Sequence, residues 1–301
     1  GLSVDGPREM HDAYRVDKGG GGTFDDVMRG WDRLRKHAVD VNILCAVHAA
    51  NVDQPLDVYR FFRDNLGAEF IQFIPIVERA TAELLPIANE GWSERAGGKR
   101  PLYLLAGNLV TDRSVSAEKY GRFLIAVFDE WVQRDVGKVF VQHFDAALAN
   151  WTGAPSPVCI FSETCGTALA LEHNGDLYSC DHFVEPRWKL GNIKETHMIE
   201  LVASPRQTKF GLDKRDTLPR YCRECAVRFA CHGECPRNRF IETPDGEPGL
   251  NYLCAGYKAF FNHIDKPMRM MADLLRRGRY ADEVMGLLAA EEAARGVDNP
   301  P

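Results

Sequence analysis

The chain is poor in the features that would tie it to a membrane, to nucleic acid or to the outside of a cell. No apolar run reaches the roughly eighteen residues that a membrane span needs, and no basic-then-apolar leader opens the chain, so we expect a cytoplasmic protein. Positive charge is not in excess: 37 Lys and Arg face 43 Asp and Glu, a formal net charge of -6. That balance argues against a general nucleic-acid binder, and Arg276-Arg277-Gly278-Arg279 reads as a solvated helix end. The glycine run Gly19 to Gly22 lacks the Lys-Ser/Thr of a phosphate loop and does not directly follow a strand, so it reads as a plain loop. Cysteine is nearly missing from the first half. Cys45 alone precedes residue 159, without a partner at ligand spacing, and reads as a buried strand thiol.

What is present is concentrated between Cys159 and Cys254. Eight of the nine cysteines lie there, as Cys159-x5-Cys165-x14-Cys180 and Cys222-x2-Cys225-x5-Cys231-x3-Cys235, with Cys254 following. Eight thiolates make two sets of four, which suits tetrahedral zinc or iron–sulfur clusters. Disulfides fit poorly, because the count is odd and no secretory signal is present. Cys231-x3-Cys235-Pro236 repeats the C-x3-C-P ending of ferredoxin-type runs, whose last cysteine ligates the other cluster, and this favours iron and sulfur.

At 301 residues, 45% hydrophobic and 27% charged, the chain is long enough for one large or two medium domains. Leu2 to Pro7 reads as the end of a strand entering a turn. We therefore expect the chain to begin mid-domain, with an N-terminal part missing. Phe24, Val27, Met28, Trp31 and Leu34 recur at helical spacing; Val41 to His48 reads as a strand, Pro55 to Leu66 as a helix ended by Gly67, and Phe70 to Val77 as a strand. Alternation of near-continuous apolar strands with helices predicts parallel pairing, an α/β sheet or part of a barrel.

Residues 79 to 114 are irregular and read as an insertion. A helix from about Ser116 to Arg134, a strand at Val139 to Gln142 and a short helix at Phe144 to Trp151 complete a first domain over 1–150. The second covers 151–288. In it Leu169 to Glu172 and Asp176 to Cys180 flank His173-Asn174-Gly175, a strong hairpin signal. Residues 198 to 210 and Tyr257 to about Leu288 look helical, the latter interrupted at Pro267, and 289–301 reads as a frayed tail.

Ser3-Val4-Asp5-Gly6-Pro7, His11-Asp12, Arg15, Asn42-Ile43-Leu44-Cys45, Gln72-Phe73-Ile74 and the eight cysteines with Cys180-Asp181 together resemble the anaerobic sulfatase-maturating enzymes. These are radical S-adenosylmethionine (SAM) proteins with a SPASM-type C-terminal domain. The likeness spans nearly the whole chain outside 79–114 and the tail. It implies a partial (β/α) radical SAM barrel lacking its first strands, followed by a small cysteine-rich SPASM domain with a hairpin and helices. The family's C-x3-C-x2-C motif for the SAM-binding 4Fe-4S cluster is not in this chain. The resemblance therefore implies that a third cluster belongs to the missing segment, and that the chain as given is inactive.

The chemistry implied is cleavage of SAM to a 5′-deoxyadenosyl radical, which takes a hydrogen from Cβ of a cysteine or serine in a sulfatase polypeptide. Loss of a proton and an electron then leads to Cα-formylglycine. By resemblance, Cys159, Cys165, Cys180 and Cys235 hold one auxiliary 4Fe-4S cluster, and Cys222, Cys225, Cys231 and Cys254 the other. Both serve as electron acceptors, and an external donor such as flavodoxin or ferredoxin is implied. Asp181 is the family's general base, although a carboxylate beside a cysteine also caps turns. Ser3, Asp5 and Arg15 are candidate SAM contacts, and Asn42 and Gln72, polar within apolar strands, candidate substrate contacts. A related SPASM enzyme acting on another peptide, a zinc-stapled scaffold and an electron-transfer protein are the competing readings.

Purified without oxygen, the protein is expected to be brown and to carry about eight irons. A colourless preparation with two zincs would make it a scaffold instead.

Overall fold

The computed structural model describes residues 1–90 and 105–297. It divides into two compact units, one formed by Gly1–Val77, Asp112–Ala154 and Ala255–Pro301, the other by Glu78–Thr111 and Pro155–Cys254.

The first unit is built on four parallel strands in the order β1 (Leu2–Ser3), β2 (Asn42–Val47), β3 (Phe70–Pro75) and β4 (Phe140–Val141). Strands adjacent in sequence are adjacent in space, the arrangement that successive right-handed crossovers produce. The crossovers are helical. After the short α1 (Arg8–Asp12), α2 (Phe24–Lys36) leads to β2, α3 (Pro55–Arg60) to β3, and α4 (Ala117–Arg134) to β4, from which α5 (Gln142–Thr152) leads away. Pro55 opens α3 at a position where no N–H is needed. A π-helical turn, Phe61–Leu66, continues it, and Gly67 ends it at φ 63°, where a side chain would be strained. Ser116 caps α4 by accepting from the Lys119 N–H at 3.3 Å.

One face of the sheet carries the core. Ile43, Cys45 and Val47 of β2, with Ile71 and Phe73 of β3, are buried, and Phe123 of α4 packs edge-on to Phe73 at 5.1 Å. The other face is half-open: Ser3, Leu44 and Gln72 lie side by side in register there, with Ala46 beside Ile74.

Two long helices complete this unit, and they depart from expectation. α6 (Cys254–Arg276) runs through Pro267 unbroken. The helix stops instead at 277–279, around Gly278, which takes φ 70°. α7 (Val284–Val297) then extends over most of the supposed tail, 289–301, of which 298–301 lie outside the described residues. Ala255–Pro301 therefore joins the α/β unit rather than a second domain ending at residue 288. The physical reason is close helix packing: a Cβ at Gly121 of α4 would stand 2.6 Å from the Gly256 Cα, and one at Gly256 2.0 Å from the Ala117 carbonyl oxygen. Around this contact Tyr120 and Tyr257 meet edge-on, and Trp151 donates to Asp265 at 3.0 Å.

The second unit contains the predicted hairpin, Ala170–Leu171 with Asp176–Tyr178, extended by a third strand, Lys189–Asn192. Two helices, Met198–Val202 and Pro205–Asp216, stand where one was expected, separated by the Ser204 cap and Pro205. A second hairpin pairs Arg239–Glu242 with Pro248–Asn251. The expected insertion over 79–114 belongs to this unit up to residue 111: Arg79–Ala80 pairs with Leu109–Val110. Residues 91–104 of it lie outside the described residues. No helix among the described residues is long and apolar enough to cross a membrane.

Gly256→Ala is expected to destabilise the protein by roughly 1–3 kcal/mol in chemical denaturation, because backbone must move to admit the methyl group. Gly286→Ala, where nothing lies within 4 Å of the new carbon, should instead be neutral or stabilising by up to about 1 kcal/mol.

Candidate functional site

In the α/β unit the predicted residues separate. Ser3 and Gln72 share the half-open face through Leu44. Asn42 does not join them as a mouth residue: it is the exposed first residue of β2, at the strand end opposite the carboxyl ends where α/β sheets take up ligands. Asp5 is buried, and its carboxylate is already engaged. Arg15 donates from Nε to Oδ2 at 2.5 Å and from Nη2 to Oδ1 at 3.0 Å, and the Ala46 N–H donates to Oδ1 at 2.8 Å. His48 stands 3.7 Å away. Asn51, which sequence reading missed, is fully buried and donates to the carbonyls of Asp5 and Ala46 at 2.8 and 2.9 Å. Asp5 thus ties the ends of β1 and β2 together. Burial acts to raise its pKa, but the His48 and Arg15 side chains, the Arg15 charge and the Ala46 N–H more than reverse this and hold it below the usual value.

The cysteine-rich unit holds all eight thiols. Cys159 opens the 3-10 turn Cys159–Phe161, and the Cys165 N–H bonds the Gly211 carbonyl at 3.2 Å. Cys180 follows the strand Asp176–Tyr178. Cys222 lies in the helix Arg220–Arg223 and Cys231 ends the helix Arg228–Cys231. Between Cys231 and Cys235 three residues in a row are left-handed, His232 at φ 48°, Gly233 at 71° and Glu234 at 50°. This tight reversal is how C-x3-C presents both sulfurs.

Contacts and charges link several of the thiols in two neighbourhoods that cross in sequence. His182 links Cys180 and Cys235: its N–H lies 3.5 Å from the Cys180 Sγ and its Nδ1 3.6 Å from the Cys235 Sγ. Burial pushes the Cys235 thiol pKa up, and the charges of Glu234, Cys180 and Cys159 reinforce it. Cys165 is raised by burial and by Cys159. In the other neighbourhood Cys222 and Cys254 pack in one apolar cluster with Leu218 and Leu250. Cys231 is pushed up to about 12 by burial first and then by Cys254, with Cys222 also contributing. Cys225 sits one turn from Cys222, donating its N–H to that residue's carbonyl at 3.2 Å. Burial thus favours the protonated thiol at Cys165, Cys231 and Cys235, and a bound metal would displace that proton.

Among the described residues no three His, Cys, Asp or Glu side chains close on a single metal ion. Asp181 is exposed beside the first neighbourhood, accepting from the Cys180 Sγ at 3.1 Å, while its own N–H donates to the Ala168 carbonyl at 3.0 Å.

Sequence reading missed two buried cations. Lys214 is fully buried, and Arg239 is half-buried. The signal for Lys214 was available: Gln207, Phe210, Gly211 and Lys214 recur at the helical spacing of one buried face. Charged neighbours such as Asp213 and Arg215 disguised it.

Residues 159–226 match the family described as SPASM, an iron-sulfur cluster-binding domain. The chain is 45% identical over 290 residues to the serine-type anaerobic sulfatase-maturating enzyme of Bacteroides thetaiotaomicron, covering 96% of this chain and 67% of that protein. It belongs to the anaerobic sulfatase-maturating enzymes. The cysteine-type enzyme of Clostridium perfringens is 30% identical over 265 residues, covering 87% of this chain and 64% of that one. A solved structure of native anSMEcpe with bound AdoMet superposes with TM-score 0.74 at 28% identity, covering 90% of this chain and 67% of that chain. The chain thus spans about two thirds of the sulfatase-maturating enzymes it matches. Its fold is that of the radical SAM and SPASM parts of this family, which sets aside the zinc scaffold and the simple electron carrier.

Asp5→Asn is expected to lower stability by about 2 kcal/mol at neutral pH, a modest figure because the Arg15 partner is one-third exposed. The Asp5 contribution is present above the ordinary carboxylate range and is lost as pH falls through its lowered pKa. Urea melts of the variant and the parent should therefore converge as the pH falls below the ordinary carboxylate range and through the lowered pKa of Asp5.

Proposed function

We propose that this chain supplies the cluster-holding and proton-accepting parts of a radical SAM sulfatase maturase, which oxidises an active-site serine or cysteine of a sulfatase to Cα-formylglycine. The observation that carries the reading is the linking of several of the eight thiols in two crossed neighbourhoods, beside an exposed carboxylate, within a chain so similar to a known maturase. Identity of 45% to a serine-type enzyme against 30% to a cysteine-type one supports serine as the target. When bound, SAM supplies the oxidising radical and the auxiliary 4Fe-4S clusters an outlet for the electron.

The donor set fits such clusters in its chemistry, because soft thiols dominate it, with His182 and the Asp181 carboxylate beside Cys180 and Cys235. Cys159, Cys165, Cys180 and Cys235 would hold one cluster and Cys222, Cys225, Cys231 and Cys254 the other. Asp181 accepts the proton released as the target's Cβ–O or Cβ–S bond gains double-bond character. Its support is its exposure and its placement next to a ligand thiol, anchored through its own N–H. Ser3 and Gln72 face the side of the sheet where SAM and the peptide would lie, Arg15 orients the β1 end through Asp5, and Asn42 has no part. The reading puts the enzyme in the cytoplasm, where thiols stay reduced, with flavodoxin or ferredoxin as donor.

In the complete enzyme, Asp181→Asn should retain all iron and still cleave SAM, yet form formylglycine on a serine-containing sulfatase peptide about a hundredfold more slowly. Mass spectrometry of the peptide measures this. Product at the parent rate would move the base elsewhere.

A further inference from the structure

Two cations stand among the cysteine loops with no part in the chemistry above. Lys214 donates its Nζ to the Ile160 carbonyl at 2.9 Å and also to the carbonyls of Cys159 and Ser162. Arg239 closes on the left-handed turn between Cys231 and Cys235. Its Nε donates to the Gly233 carbonyl at 3.0 Å and its Nη2 to those of His232 and Glu234 at 3.1 and 3.2 Å. Its remaining Nη1 donates to the carbonyl of Lys214 itself at 2.6 Å. One hydrogen-bonded chain therefore runs from the loop of the first ligand group to that of the second.

Carbonyl oxygens satisfy the donors but do not cancel the charge. The carboxylate that acts on both cations is Glu234. It is itself buried, with burial acting to raise its pKa, and its oxygens are shared with Asn238 and Asn251. A fully buried and a half-buried cation against one such carboxylate leave positive charge without a full partner, an arrangement that is costly unless an anion completes it. The other groups within reach that become negative, once a bound metal has displaced their protons, are ligand thiols: Cys165 and Cys159 lie toward Lys214, and Cys222, Cys231 and Cys235 toward Arg239. A cubane held by four thiolates is an anion and gains a further negative charge on reduction.

We propose that Lys214 and Arg239 are positioning residues that tune the auxiliary clusters electrostatically. They clasp the ligand loops, and their buried charge favours the reduced state, which makes each cluster a better electron acceptor. Lys214 serves the first group and Arg239 both, since its neighbours come from each. This rests on the assignment of the eight cysteines to two clusters.

The test is an EPR-monitored redox titration with iron analysis of the complete, anaerobically reconstituted enzyme. Arg239→Gln is expected to keep its iron and to shift the reduced-to-oxidised ratio of both clusters about tenfold toward oxidised at a fixed potential, equivalent to about 59 mV for a one-electron couple. Arg239→Lys, which keeps the charge, should restore the parent potentials. Lys214→Met should shift the first cluster more than the second, or lose that cluster alone. Parent potentials in an iron-replete Arg239→Gln enzyme would overturn the inference, as would equal shifts in Arg239→Gln and Arg239→Lys, which would mark a structural effect only. A parent enzyme without cluster signals would sink the cysteine assignment itself, a result readily told apart from unchanged potentials.

Discussion

The cysteine-rich unit depends on finding donors for the carbonyls of its tightly turned loops. Short loops that present sulfur inward cannot also form long helices or strands, so their backbone oxygens lack ladder partners. Lys214 meets this need at the loop after Cys159, and Arg239 does so for the left-handed residues before Cys235. Two long side chains thereby replace much of the secondary structure that the thiol spacing forbids. Gln207 extends the same solution, donating to the carbonyls of Gly166 at 2.7 Å and Ser179 at 3.0 Å.

The α/β unit solves a different problem in a related way. There the strand ends near Asp5 are held by a buried carboxylate rather than by buried cations, and Asn51 stitches the neighbouring carbonyls. Close approach of α4 and α6 at Gly121 and Gly256 fixes the start of α6 on that unit. In each unit a handful of polar or side-chain-free positions decides geometry that the apolar core alone would leave loose.

Much of this was legible in the sequence. Periodicity located β2, α3, β3 and the helix beginning after Ser116, and Asn174-Gly175 marked its hairpin. Cys235-Pro236 pointed to the crossed use of Cys235 that the proposed pairing adopts. What escaped notice has physical causes. Pro267 reads as a break, but α6 runs through it and ends near Gly278. Residues 79–111 read as an insertion into the barrel, yet pairing of Arg79–Ala80 with Leu109–Val110 groups them with the cysteine-rich unit. Lys214 was hidden because charge normally signals solvent, and Asn42 misled because a polar residue at a strand's first position faces outward as easily as inward.

The interleaving of the two thiol groups bears on how the protein is made. Cys159, Cys165 and Cys180 leave the ribosome well before Cys235, and Cys222, Cys225 and Cys231 before Cys254. On the proposed pairing, one cluster lacks its fourth ligand until Cys235 is made and the other until Cys254 is made. Iron delivery would then follow synthesis of most of the region rather than accompany it, and a nascent chain would hold reactive thiols in reserve until α6 begins.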